Sequence, residues 1–224
     1  MMKSESRVRL DSMNATLKLK PKAEIYYPES DGKPMAETDV HREQMNYLIE
    51  TLKVHFQSRS DVYVSGNIMF YYEEGNPRKV FSPDVMVSFG VSGEYRRTYK
   101  LWEEAVFPQV VFEISSRGTW GEDLNKKWLL FQQFGVREYY IFDPEYDYLP
   151  EPLIAYRLKR GELVKVNVKN GRIFSEEIGL EILDTGAGLR LFDVETKQFM
   201  RTLAESENEV VRLREELQKL KSRK

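Results

Sequence analysis

The sequence predicts an α/β fold: a central mixed sheet with a helix before it, a helix inserted within it, and a β-rich C-terminal portion ending in a helix. Three observations carry this. Residues 108–144 read as a buried strand, an amphipathic helix and a second buried strand. Val62–Tyr72 and Val85–Phe89 are rich in β-branched and aromatic residues. Short strand signals follow residue 150 and give way to heptad-spaced apolar residues near the end.

Composition narrows the chemistry. The 224 residues suffice for one domain with a real core. The 41% hydrophobic and 31% charged residues suit a soluble globular chain. The absence of cysteine excludes a disulfide framework and thiolate chemistry. Two histidines, His41 and His55, argue against a histidine-rich zinc site. No apolar run approaches a membrane span, and the N-terminus lacks the apolar core of a signal peptide, so the expected location is the cytoplasm. A net charge of −2 gives no general pull toward nucleic acid, so DNA affinity would need a local basic patch.

In order, residues 1–36 form a polar lead-in arm. Thr38 or Asp39 caps a helix that Tyr47, Leu48, Leu52 and Phe56 carry to about residue 57. Val62–Tyr72 reads as one strand bent at Gly66, and Glu73–Pro77 as a turn. In Ser82–Phe89, proline suits the strand entry. A period of two then puts Asp84, Met86 and Ser88 on one face and Val85, Val87 and Phe89 on the other. Residues 90–107 read as a long connection whose Arg96, Arg97 and Lys100 are either solvated or a phosphate-contacting patch. Strand signals recur at Leu153–Leu158, Leu163–Val168 and Leu189–Phe192, with turns at Gly161 and Asn170-Gly171. Residues 196–222 read as a helix. Its Leu203, Val210, Leu213, Leu217 and Leu220 follow heptad spacing, with Ser206 at one core position. It is either a self-association or partner helix or one folded back on the domain.

Two residues of the central unit are out of place for a plain core. Glu113 interrupts an apolar strand. On a helical wheel with Leu124 at 0°, Lys127 falls at about −60°, inside the arc of Trp128, Phe131, Phe134 and Leu130, while Lys126 falls at about 200° and Leu129 lies off the arc. A buried lysine needs a partner, and Glu113 is the obvious one. Asp123, four residues earlier, can pair with Lys127 and orient it. Carboxylates from neighbouring strands are hard ligands for Mg²⁺ or Mn²⁺, and Asp84 and Glu113 could share one ion. Lys127 could then orient or deprotonate a water, or hold phosphoryl charge. A buried Glu–Lys pair is also a common structural feature, and spacing alone leaves both readings open. His41 reads as a packed or hydrogen-bonded side chain and Tyr139, Tyr140 and Phe142 as core. Gln132 and Gln133 read as solvated, with substrate contact the other option.

Pro83-Asp84 followed by Glu113-Ile-Ser115 resembles the PD-(D/E)XK nuclease signature. More narrowly, the chain resembles the Uma-two family of restriction endonucleases. The likeness runs through Gly32–His41, Tyr71–Arg78, Ser82–Asp84, Arg97–Glu104, Glu113–Trp120, Asp123–Lys127 and Gly135–Pro144. It implies a restriction-endonuclease-like nuclease domain over 37–195, with the arm 1–36 before it and a helix over 196–224 able to form a coiled coil. It further implies a Mg²⁺- or Mn²⁺-dependent endonuclease cleaving DNA, with Asp84, Glu113 and Lys127 catalytic. Asp84 and Glu113 would be metal ligands. Glu37 is a further metal candidate, or part of the helix-capping turn. The departure is Ser115, where the superfamily has lysine; in this family the lysine stands on the following helix, at the place of Lys127. A homodimer is expected, since two symmetric sites are the simplest way to cut both strands of a duplex. The alternatives are a catalytically inactive nucleic-acid-binding or assembly module on the same fold, and a different metal-dependent phosphoesterase.

Overall fold

The computed structural model describes residues 25–32 and 38–222. Helix α1 (Asp39–His55) is capped by Thr38, whose extended backbone lets its hydroxyl accept from the His41 amide at 3.3 Å. This satisfies one of the N–H groups that a first helical turn leaves unpaired. Strands β1 (Val62–Ser65), β2 (Phe70–Tyr71), β3 (Val80–Phe81), β4 (Val85–Phe89) and β5 (Tyr99–Lys100) follow, then the single turn α2 (Leu101–Glu104). β6 (Val110–Ile114) leads through α3 (Trp120–Glu122), a π-helical turn (Asp123–Lys127) and α4 (Trp128–Phe134) to β7 (Glu138–Phe142). β8 (Leu153–Lys159), β9 (Glu162–Val166), β10 (Arg172–Phe174), β11 (Glu181–Asp184), β12 (Leu189–Asp193) and β13 (Gln198–Phe199) precede α5 (Leu203–Lys221).

The central sheet runs β1-β4-β6-β7-β8-β9. It is mixed: β6 and β7 are parallel and every other neighbouring pair is antiparallel. A parallel pair needs a crossover, and the helical segment between β6 and β7 supplies it. Side chains alternate across the sheet. Val87, Val110, Phe112, Ile114 and Phe142 face a core shared with α1 and with the antiparallel sheet β10-β11-β12-β13. Val111, Tyr139 and Ile141 face the other way, onto Phe131 and the partly buried Leu124, Trp128 and Leu130. Tyr63, Phe70, Met86 and Tyr99 form a third cluster at the small sheet β3-β2-β5. Among the described residues no helix is long and apolar enough to cross a membrane.

Four sequence expectations change. Val62–Tyr72 is two strands in two different sheets, with Gly66 in the break. A Cβ on Gly66 would lie 1.9 Å from the Asp84 carbonyl oxygen, so the chain passes Asp84 too closely for any side chain. Residues 90–107 are not one loop but contain β5 and α2. β10, β11 and β13 escaped the sequence reading because strands of two to four residues show almost no periodicity. The last helix begins at Leu203 rather than 196. Residues Gln198–Phe199 pair with β12, and Thr202 and Glu205 form a reciprocal capping box. The predicted turns hold: Arg160 and Gly161, then Asn170 and Gly171, all have positive φ, the geometry of tight hairpins.

Candidate active site

Asp84 sits at the entry to β4, fixed by its surroundings. The carbonyl of Pro83 accepts from the Asn67 amide at 2.7 Å, which holds the preceding turn against the strand entry. Oδ2 of Asp84 accepts from the Ile114 amide at 2.7 Å, pinning its carboxylate to the end of β6. Nε2 of His41, from the first turn of α1, lies 3.4 Å from the same oxygen.

Glu113 is fully buried in β6, where neighbouring β4 and β7 hold its register. It shares the sheet face of Val111, toward the crossover helices. Lys127, at the end of the π-helical turn, places Nζ 2.8 Å from Glu113 Oε2 and 2.8 Å from Asp123 Oδ1. Asp123 is itself buried. Its Oδ2 accepts from the Ser115 hydroxyl at 3.0 Å, and its backbone carbonyl accepts from the Tyr139 hydroxyl at 2.9 Å. Ser115 continues β6 by donating its amide to the Phe142 carbonyl at 2.7 Å. Strand geometry therefore places Ser115 two residues past Glu113 on the same face, aimed at the helix.

The electrostatics follow from burial and charge count. Burial pushes the Glu113 carboxyl well above the usual glutamate range; Lys127 pulls it back, while Asp84 and Asp123 add to the rise. Burial opposes ionisation of Asp84 too, but His41 and Lys127 outweigh it and hold Asp84 below the usual aspartate range. Desolvation alone would discharge Lys127, yet Glu113, Asp123 and Asp84 keep its ammonium protonated well beyond the ordinary lysine range. Three acidic side chains thus act on one ammonium.

Oε1 of Glu113, buried and lacking a hydrogen-bond partner among the described residues, fits a divalent cation beside Asp84. Asp84 and Glu113 would hold it. Mg²⁺ and Mn²⁺ are commonly bound by one or two carboxylates, with water and substrate phosphate completing the shell. Among the described residues no group of three or more His, Cys, Asp or Glu side chains is placed to hold a metal ion, so protein ligands beyond Asp84 and Glu113 are not in evidence. Glu37, the third metal candidate, lies outside the described residues.

The structure thus brings Asp84, Glu113 and Lys127 together and adds Asp123 as the partner the helical spacing anticipated. Lys126 points outward, 3.6 Å from Glu122. The sequence reading missed that Ser115 and Asp123 bond to each other and that His41 abuts Asp84; neither contact leaves a local signal, since each spans separate elements. Other candidates are committed elsewhere. Arg96 bonds Glu104 through two nitrogens, at 2.5 and 2.8 Å. Arg97 pairs with Glu29 at 2.8 Å and Lys100 with Glu103 at 3.0 Å. Gln132 accepts from the Leu163 amide at 2.8 Å, tying α4 to β9, while Gln133 is exposed. Tyr139, Tyr140 and Phe142 are core.

Comparison with known proteins gives first a class and then a family. The chain matches a family of restriction-endonuclease type across residues 14–185. That family is Uma2, described as "putative restriction endonuclease", and the chain belongs to it. A solved structure, described as a putative nuclease belonging to DUF820 from Anabaena variabilis, is 14% identical; the match covers 65% of this chain and 76% of that one, with a TM-score of 0.48. No curated protein matches the chain.

Proposed function

We propose that this chain is a divalent-metal-dependent endonuclease that hydrolyses phosphodiester bonds in DNA and works as a homodimer. The observation that carries the reading is the buried Glu113, adjacent to Asp84 on the next strand and ion-paired to Lys127 from the crossover. Family membership supports a nuclease.

In this reading a bound Mg²⁺ or Mn²⁺ supplies Lewis-acid polarisation of the scissile phosphate and offsets the carboxylates. Asp84 and Glu113 would hold it, since their strands are hydrogen-bonded neighbours. Glu113, Asp123 and Asp84 favour the charged form of Lys127, which suits it to hold the phosphoryl charge. It donates a hydrogen bond to a phosphate oxygen and stabilises the charge that builds as the water oxygen bonds to phosphorus. One ester P–O bond breaks; the attacking water gives a proton to solvent and the leaving oxygen takes one from solvent. Asp123 aims Lys127, and Ser115 aims Asp123.

The test is cleavage of supercoiled plasmid and branched DNA by purified protein with Mg²⁺, Mn²⁺ or EDTA, beside Glu113→Gln and Lys127→Ala. Metal-dependent nicking lost in both folded variants is the expected result. No cleavage of any substrate by the unaltered protein, with no metal binding by calorimetry, would favour a binding module on the same fold.

A further inference from the structure

We propose that α5 pairs with α5 of a second copy as a parallel, in-register, two-stranded coiled coil. This supplies the interface for the homodimer proposed above and rests on that pairing, not on cleavage. α5 lies outside the residues 14–185 matched by the family, so the nuclease fold does not by itself account for it.

The helix has no buried residue. Its apolar stripe faces water, from Leu203 at 78% exposed to Leu220 at 61%. A solitary helix of 19 residues gains little from propensity alone, and stability normally comes from burying its apolar face. The heptad gives Leu203, Val210 and Leu217 the first core position and Ser206, Leu213 and Leu220 the second. Leucine at two of the second positions, with valine among the first, suits two strands. Ser206 enters the seam with its hydroxyl already donated to the Thr202 carbonyl at 2.9 Å, so it brings no unmet donor.

Charge selects the partner and its direction. Glu209 and Glu216 flank the stripe on one side; Glu207, Arg214 and Lys221 flank it on the other, with Glu207 opposite the uncharged Thr202 in a parallel pair. In a parallel pair each flanking residue faces the one five positions later on the other helix. Glu209 then meets Arg214 of the second copy and Glu216 meets Lys221, and two-fold symmetry repeats both pairs. In an antiparallel pair the same flanks face each other, which sets Glu209 against Glu216. On the single chain the half-buried Glu209 lies 2.6 Å from Arg212 of its own helix and 3.7 Å from Arg201, pairs that a second copy would share or displace.

The full chain has no cysteine, so Ser206→Cys introduces the only thiol. Light scattering of the unaltered protein should give twice the 26.4 kDa chain mass, falling to one chain mass in Leu213→Glu with unchanged circular dichroism from the domain. Mild oxidation of Ser206→Cys should yield a disulfide-linked dimer. A monomer at all concentrations, or a dimer indifferent to Leu213→Glu, would overturn the proposal. A dimer of Ser206→Cys in which the two introduced thiols do not cross-link would overturn the parallel register. Because the readouts are mass and cross-linking, the nuclease reading can stand or fall separately.

Discussion

The hydroxyl of Ser115 donates to Oδ2 of Asp123 at 3.0 Å, and both side chains are buried. Ser115 therefore supports the aspartate that pairs with Lys127. Ser115→Ala leaves a buried carboxylate oxygen unmet. It should cost about 1–3 kcal/mol in chemical denaturation and lower the cleavage rate while leaving metal affinity near its original value. Unchanged stability and rate would detach Ser115 from the site.

Lys127 is the only cation within hydrogen-bonding reach of Glu113 and Asp123 among the described ion pairs. Lys127→Met should abolish cleavage and destabilise the fold by about 3–5 kcal/mol, the usual cost of removing one partner from a buried pair. Adding divalent metal should restore part of the stability and none of the activity. Thermal melts with and without Mg²⁺ read the first effect, and plasmid nicking reads the second.

Divalent metal should stabilise the unaltered protein by mass action, about 2.7 kcal/mol at a hundredfold excess over the dissociation constant. Glu113→Gln should lose most of that shift, since it removes one charge and weakens an oxygen ligand. An equal metal-induced rise in melting temperature in Glu113→Gln would place the ion elsewhere.

Gly66→Ala tests the strand entry. The new Cβ would meet the Asp84 carbonyl oxygen at 1.9 Å and its carbon at 2.9 Å, so the backbone carrying Asp84 must move. Small displacements of a positioned group can cost about 100-fold in rate. A loss of that order with the fold retained by circular dichroism is expected, and full activity would show that Asp84 tolerates the shift.

Alkali should unfold the protein through its buried phenols. Burial raises Tyr99 from about 10 to about 12, and its hydroxyl donates to the Val106 carbonyl at 2.7 Å. A raised folded-state value stabilises the fold fully below the unfolded value, and the contribution is lost as pH climbs from about 10 to about 12. Denaturant midpoints should therefore fall across this window. Tyrosinate absorbance from Tyr99 should appear together with unfolding rather than before it. Tyr99→Phe should flatten part of the decline.

The mixed sheet and its crossover were legible because they obey short-range rules. Val110–Ile114 is an apolar run broken only by Glu113, Tyr139–Phe142 is apolar, and the helix between them shows a wheel with one wrong residue, Lys127. That single misfit located half of the site. Asp84 was legible from the proline beside it and the alternation of β4. What could not be read arises from contacts between elements. The Gly66–Asp84 approach depends on how two strands diverge into different sheets. The pairing of Arg96 with Glu104 depends on α2, a turn of four residues with no periodicity to reveal it. The start of α5 was misplaced because the strand before it is two residues long.

The π-helical turn Asp123–Lys127 has a consequence for insertions and deletions. The wheel drawn from sequence assumed uniform α-helical spacing, whereas this turn accommodates an extra residue between α3 and α4. Deleting Asn125 would let the segment close as continuous α-helix with little change in helical content. Asp123 and Lys127 would then stand three positions apart, still neighbours on one helix face. Their ion pair and the acceptor for Ser115 would be kept, with every charged residue of the site still in the chain. At this point the backbone can lose one residue and keep the same side chains in contact.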